Sequence, residues 1–169
     1  MNPIHYHMKK WQARSNHAKI LLMICLCGLA AIAIVVLWHL IGGQIPWGIQ
    51  TWVKIFILCI ADLLFLISAL SSYSNYSFLY SYYLSKWIKE NSPQDLELVT
   101  GTVLYSQSHH IPYAGHFQRI TLRLLSGDVR TYYVKPSNLG SFEVRSHVRL
   151  LTHQLFIVDI YPTLIALVS

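Results

Sequence analysis

Asp62 is the residue with the most chemistry to explain. It stands near the middle of Trp52 to Leu70, a run of 19 residues whose only other charge is Lys54. A carboxyl group at the centre of a bilayer costs about 2.5–3.5 kcal/mol, so it is expected to face protein or water rather than lipid. Two uses are open. Asp62 could serve an ion or proton path, or it could hydrogen-bond a partner helix and fix their association. Two spans leave no room for a private path, so a path would require an oligomer or partner subunits. We favour the assembly contact.

The other reactive side chains point to less. Of nine histidines, His109, His110 and His116 cluster within eight residues, and His5 and His7 lie near the start. Neighbouring residues of an extended chain face opposite sides. His109 and His110 therefore need a turn before both can hold one ion, and we read their segment, with Pro112 and Gly115, as a solvent-exposed loop and not a metal site. His39 sits at the outer end of the first apolar run, an interfacial position. Cys25, Cys27 and Cys59 all fall within apolar runs, where free cysteine acts as a small hydrophobe. The chain holds no phosphate-cradling glycine loop, zinc-protease helix, nucleophile elbow or paired-cysteine zinc motif. We therefore assign no catalytic residue, no metal and no cofactor, and do not expect an enzyme. Arg119, Arg123 and Arg130 form the candidate interaction face. From Lys86 onward there are eight basic and six acidic residues, too small an excess for a nucleic-acid platform. Anionic lipid headgroups or an acidic partner suit these arginines better; a solvated outer face is the plain alternative.

The elements that must position these groups are dominated by two apolar runs. Ile20 to Ile41 is 22 residues without a formal charge. At 1.5 Å per residue each run can cross a hydrocarbon core of about 30 Å. The segment Gly42-Gly43-Gln44-Ile45-Pro46-Trp47-Gly48 is short enough to demand an antiparallel hairpin. Hydrophobic residues make up 54% of the chain and charged ones 12%, against roughly 25% charged in soluble domains. The first run is too long for a signal-peptide core and lacks a small-residue cleavage site. Lys9, Lys10, Arg14 and Lys19 precede it, Lys86 and Lys89 follow the second, and the turn is uncharged. That asymmetry places both termini on the cytoplasmic side of the plasma (inner) membrane. Lys54 can carry its ammonium back to the headgroups. Close packing of the two spans is expected through Gly28, the pairs Cys27/Ala31 and Ala30/Ile34, and Ala61, Ser68 and Ala69.

After the second span, Tyr73, Tyr76, Tyr80, Tyr83 and Trp87 repeat at 3-4-3-4 spacing and line one helical stripe. Such a stripe suits the membrane–water boundary or the surface of a partner subunit. The helix should end before Asn91-Ser92-Pro93. From Leu96 the pattern changes to period two, with strands expected over 98–105, 118–125, 129–134, 148–152 and 155–160, and turns at Ser126-Gly127-Asp128 and His153-Gln154. Ile120, Leu122 and Leu124 should face inward, and Arg119, Thr121 and Arg123 outward. The fold class is α+β: a transmembrane helical hairpin followed by a small SH3-like or OB-like barrel. The expected division is a basic tail over 1–19, the hairpin over 20–71, an aromatic interfacial helix or linker over 72–92, and the barrel over 93–169. The apolar ending Leu164 to Val168 is too short to span and should pack on the barrel or a partner.

Two spans before a compact barrel, with Gly140-Ser141-Phe142-Glu143-Val144-Arg145-Ser146-His147-Val148-Arg149-Leu150 as its closing turn and strand, resemble NfeD-type membrane-anchored barrel proteins. Thr121-Leu122-Arg123-Leu124-Leu125-Ser126-Gly127-Asp128 resembles the β domain of small mechanosensitive channels, whose glycine- and alanine-rich pore helix is absent here. The resemblance implies a membrane-anchored cytoplasmic barrel and transfers no activity. The resulting expectation is a non-enzymatic subunit or accessory of an inner-membrane assembly. Its partners would be membrane lipids and either membrane proteins or further copies of itself, without nucleic acid. The alternative is a subunit of an oligomeric channel or transporter, with Asp62 on a shared path.

Overall fold

The computed structural model describes residues 3–41, 48–136 and 142–161. Helices α1 (Pro3–Ile41) and α2 (Ile49–Asn91) come first. They are followed by a single 3-10 turn at Pro93–Asp95 and strands β1 (Glu97–Ile111), β2 (Gly115–Leu124), β3 (Val129–Val134), β4 (His147–His153) and β5 (Phe156–Tyr161). The layout is thus two long apolar helices and then a closed five-stranded barrel. The contacts divide the chain into Lys10–Ser77 and a second unit made of Met1–Lys9 with Phe78–Ser169. The last turns of α2, from Phe78 onward, thus group with the barrel. The segment expected as a basic tail is helical from Pro3 onward. Most of the turn between the helices (42–47), most of the loop after Pro136 and the apolar ending lie outside the described residues.

Within Lys10–Ser77 the helices run antiparallel. Trp11 stacks on Tyr76 with ring centroids 5.8 Å apart, Gly28 faces Asp62, and Ala31, Ile32 and Val35 share a groove with Ile55 and Leu58. Close approach is made at Ala18 and Ala69, both buried, and at Gly28. Of the small-residue pairs expected from spacing, Cys27 and Ala30 are exposed, while Ala31, also exposed, lines the groove shared with α2. The most apolar windows of α1 and α2 have mean hydropathies of 3.2 and 2.5 and are 0% and 6% buried, and both helices are long and apolar enough to cross a membrane. Leucine, isoleucine, phenylalanine and tryptophan side chains are exposed all along these stretches.

The barrel follows the order β1-β2-β3-β5-β4 and closes between β4 and β1. All neighbours are antiparallel except β3 and β5, which run parallel and share the single register pair Tyr133↔Phe156. The expected alternation holds in the middle of β2, where Ile120 and Leu122 are buried and Arg119 and Arg123 exposed. With Val99, Val103, Tyr132, Val134, Phe142, Leu150 and Ile157 they form the inner core. β1 and β2 run further than the alternation indicated. They continue to a tip at 112–114, so His109, His110 and His116 lie on paired strands and not in a loop. A bulge between Val103 and Tyr105 shifts the β1–β2 register by one residue before the extra length begins.

One glycine is demanded by this geometry. A Cβ at Gly101 would lie 2.6 Å from the backbone oxygen of Arg123 on β2, and a backbone oxygen cannot swing aside. Gly101→Ala should destabilise the barrel by about 1–3 kcal/mol, seen as a lower thermal midpoint and faster proteolysis within 97–161. An unchanged midpoint would mean that the strands separate there at little cost.

Candidate functional site

The barrel's weakest joint is the β3–β5 closure, and the last turns of α2 lie against it. Beyond Tyr133↔Phe156 and the hydrogen bond from Tyr133 N to Leu155 O at 2.8 Å, no further β3–β5 pairing occurs among the described residues. Phe78 packs edge-on against Phe117, Tyr133 and Phe156 with centroids 5.2, 5.1 and 4.8 Å away. One turn on, Tyr82 meets Phe117 at 5.1 Å and Phe156 at 5.7 Å. Edge-to-face pairs of this kind add about 0.5–1.5 kcal/mol each beyond their burial. Tyr82, Ile111, Phe117 and Phe156 thereby form a second core outside the barrel wall.

Polar contacts continue the same helix face. Ser85 is 1% exposed. Its hydroxyl donates to Ser81 O at 2.8 Å, and its oxygen lies 2.9 Å from His153 Nδ1. In the Ser85–His153 hydrogen bond the donor is set by the imidazole tautomer. Burial pushes His153 below the ordinary histidine range, with a smaller opposing pull from Asp95. Next, Lys89 Nζ lies 2.7 Å from Asp159 and 3.4 Å from Val158 O, a carbonyl on β5. The hydrogen bond from Lys89 holds the Asp159 carboxyl below its usual range. The pair is about half exposed, so it is worth no more than about 1 kcal/mol.

Beside this seam lies a cavity of about 260 Å³. Val134, Phe156 and Ile157 give it an apolar wall, and Lys86, Lys89, Glu90 and Lys135 give it charge. Lys86 holds its ammonium 5.1 Å from the centre of the Tyr82 ring. Tyr82 also lines the cavity, and burial pushes its phenol up to about 12. Its hydroxyl is buried without a hydrogen-bond partner among the described residues.

The residues singled out from sequence go elsewhere. Asp62 lies against Gly28, where an added Cβ would be 2.8 Å from its Oδ2, and near Cys25. Arg119 and Arg123 are exposed, opposite Gln107 and Thr102 on β1. Arg130 stands across from the buried Leu122, in the other phase of the sheet, and reaches Glu97 at 3.7 Å. The three arginines therefore do not share one face. In the aromatic stripe, Tyr76 stacks on Trp11 and Tyr83 on His7 at 5.1 Å; Tyr73, Tyr80 and Trp87 are half-buried. These two contacts turn the stripe toward α1. His110 and His116 pair across the hairpin with rings 4.9 Å apart, half of a usual zinc ligand set. No group of three metal-capable side chains forms among the described residues.

The seam residues Phe78, Tyr82, Ser85 and Lys89 repeat at 4-3-4 spacing. The signal was present but is shared by one aromatic pair, a serine and a lysine, so no hydrophobic pattern selects it beside the tyrosine stripe. His153 read as a turn residue.

The lowered His153 has a direct consequence. As pH falls below about 6.5 the unfolded chain takes up this proton before the folded one, so stability is full above that value. It should decline as pH falls through the lower folded value. The thermal midpoint of the barrel should therefore drop between pH 8 and 5.5, and His153→Gln should flatten that dependence; an equal slope in the variant would assign it to other groups. No protein-family model, curated protein or solved structure matches this chain.

Proposed function

We propose that the chain is a non-enzymatic subunit or accessory of an inner-membrane assembly, anchored by two spans and carrying its barrel on the cytoplasmic side as a docking module. The observation that carries this reading is the exposure of apolar side chains through the most apolar stretches of α1 and α2, ahead of a small closed barrel. Lipid or neighbouring spans satisfy such helices. The strand order and parallel β3–β5 closure favour the OB-like form over the SH3-like one, and barrels of that kind commonly serve as binding modules. The exposed pair Arg119 and Arg123, together with the basic residues at both cytoplasmic flanks, suits an acidic partner or the anionic inner leaflet. The competing channel reading needs Asp62 on a shared path. Its carboxylate against Gly28 and Cys25 of the same hairpin favours a contact that holds two helices together.

Orientation is tested by cysteine labelling in a variant whose three native cysteines are replaced. An impermeant reagent added outside should modify a cysteine at Gly48 and leave one at Ser108 unmodified. Modification at Ser108 in sealed cells would reverse the topology and remove the cytoplasmic role.

Docking is tested by Arg119→Glu combined with Arg123→Glu. Both side chains are outside the core, so the thermal midpoint should shift by no more than about 0.5 kcal/mol equivalent. The native complex, sized in mild detergent, should lose mass, more so at low ionic strength where charges are less screened. A complex of unchanged mass would move the docking surface off β2.

A further inference from the structure

We propose that the cavity between the end of α2 and the β3–β5 seam binds a small amphiphilic anion, an apolar body carrying one carboxylate or phosphate group. Three observations converge on it. Its volume, about 260 Å³, lies just below the usual range of small-molecule pockets, about 300–1,000 Å³. It suits a ligand of one ring or a short chain. Its apolar wall, from Val134, Phe156 and Ile157, comes from buried residues of both seam strands. Its charged lining holds three ammonium groups, Lys86, Lys89 and Lys135, against Glu90. Lys89 is neutralised by Asp159, so Lys86 and Lys135 leave an excess of one positive charge over Glu90. A cation would be repelled; an anion gains.

Tyr82 contributes its ring to the wall, with the Lys86 ammonium 5.1 Å from the ring centre. Its hydroxyl is closed off by burial, so the lysines are the groups that receive the anion. The site exists because β3 and β5 part after one register pair, leaving room that the helix covers without filling. The inference is independent of the anchoring role proposed above.

The experiment uses the full chain in nanodiscs of neutral phosphatidylcholine, with phenyl phosphate as probe. Binding is followed by calorimetry, and lysine accessibility by amine modification and peptide mass analysis. Saturable binding is expected, with protection of Lys86 and Lys135 but not of Lys9 or Lys10. Lys86→Gln with Lys135→Gln should weaken it by about tenfold or more, as loss of a charge-assisted contact does. Tyr82→Phe should leave binding within about twofold of the parent and raise the thermal midpoint slightly, because it removes a buried hydroxyl that has no partner among the described residues and is closed off from the cavity. Should the double variant fail to fold, Lys135→Gln alone carries the comparison. A second arm in phosphatidylglycerol nanodiscs separates the sources. Protection of the two lysines before probe is added, with weaker apparent binding of phenyl phosphate, identifies a lipid headgroup; behaviour equal to the neutral discs identifies a soluble anion. Neither saturable binding in the first arm nor lysine protection in the second, or binding undiminished in the lysine variants, would overturn the proposal.

Discussion

The barrel depends on how its one parallel joint is held. Parallel pairing is slightly weaker per residue than antiparallel pairing, and here it amounts to a single register pair, Tyr133↔Phe156. Strands that part so early leave edge groups and apolar side chains to be covered. The last turns of α2 do this with Phe78 and Tyr82 against the aromatic wall, Ser85 on His153, and Lys89 on Asp159 and the Val158 carbonyl. A barrel of this size has little apolar area to spare. The second core formed by the helix and the outer wall supplies a share of what the inner core lacks.

Some isolated polar groups find a neighbour close by and others do not. Asp62 lies near Cys25, where Gly28 leaves space for its carboxylate. Ser85 shares its hydroxyl between its own helix and His153. The buried phenol of Tyr82 finds no partner among the described residues, and neither do Trp11 Nε1 and the Tyr132 hydroxyl. Of these, Tyr82 also lines a charged cavity. Burial disfavours the ionised form of the phenol and of the imidazole alike, raising one and lowering the other, so both are neutral hydrogen-bonding groups near neutral pH.

Two faces of one helical segment divide the work. Over residues 73–91 the tyrosine stripe turns toward α1, with Tyr83 on His7 and Tyr76 on Trp11, while Phe78, Tyr82, Ser85 and Lys89 meet the barrel. Similarly, the outer phase of β2 and β3 splits along its length. Phe117 and Tyr133 are covered by the helix, and Arg119 and Arg123 remain in solvent. A charged half and an aromatic half on one sheet face are what a wall needs when it is partly an interface and partly a surface.

Much of this was determined by sequence alone. Apolar length and the absence of charge dictate two helices long enough to span, since backbone groups in an apolar stretch of that length must bond within the segment. Period two dictates strands at 129–134 and in the middle of β2, where Ile120 and Leu122 enter the core and Arg119 and Arg123 stay out. Local pattern could not say which partner each face meets. A 3-4 stripe of tyrosines marks an apolar surface, and its spacing is the same for lipid, another subunit or α1. Arg130 appeared to belong with the other arginines until register set it opposite Leu122, because one residue's shift in pairing turns a side chain to the other face. The Ser85–His153 bond joins residues 68 positions apart, and the seam contacts of Phe78 with Phe156 and of Lys89 with Asp159 span still more. Only tertiary structure decided them, since nothing in the local chemistry of a serine, a histidine or a lysine records which distant strand will lie beside it.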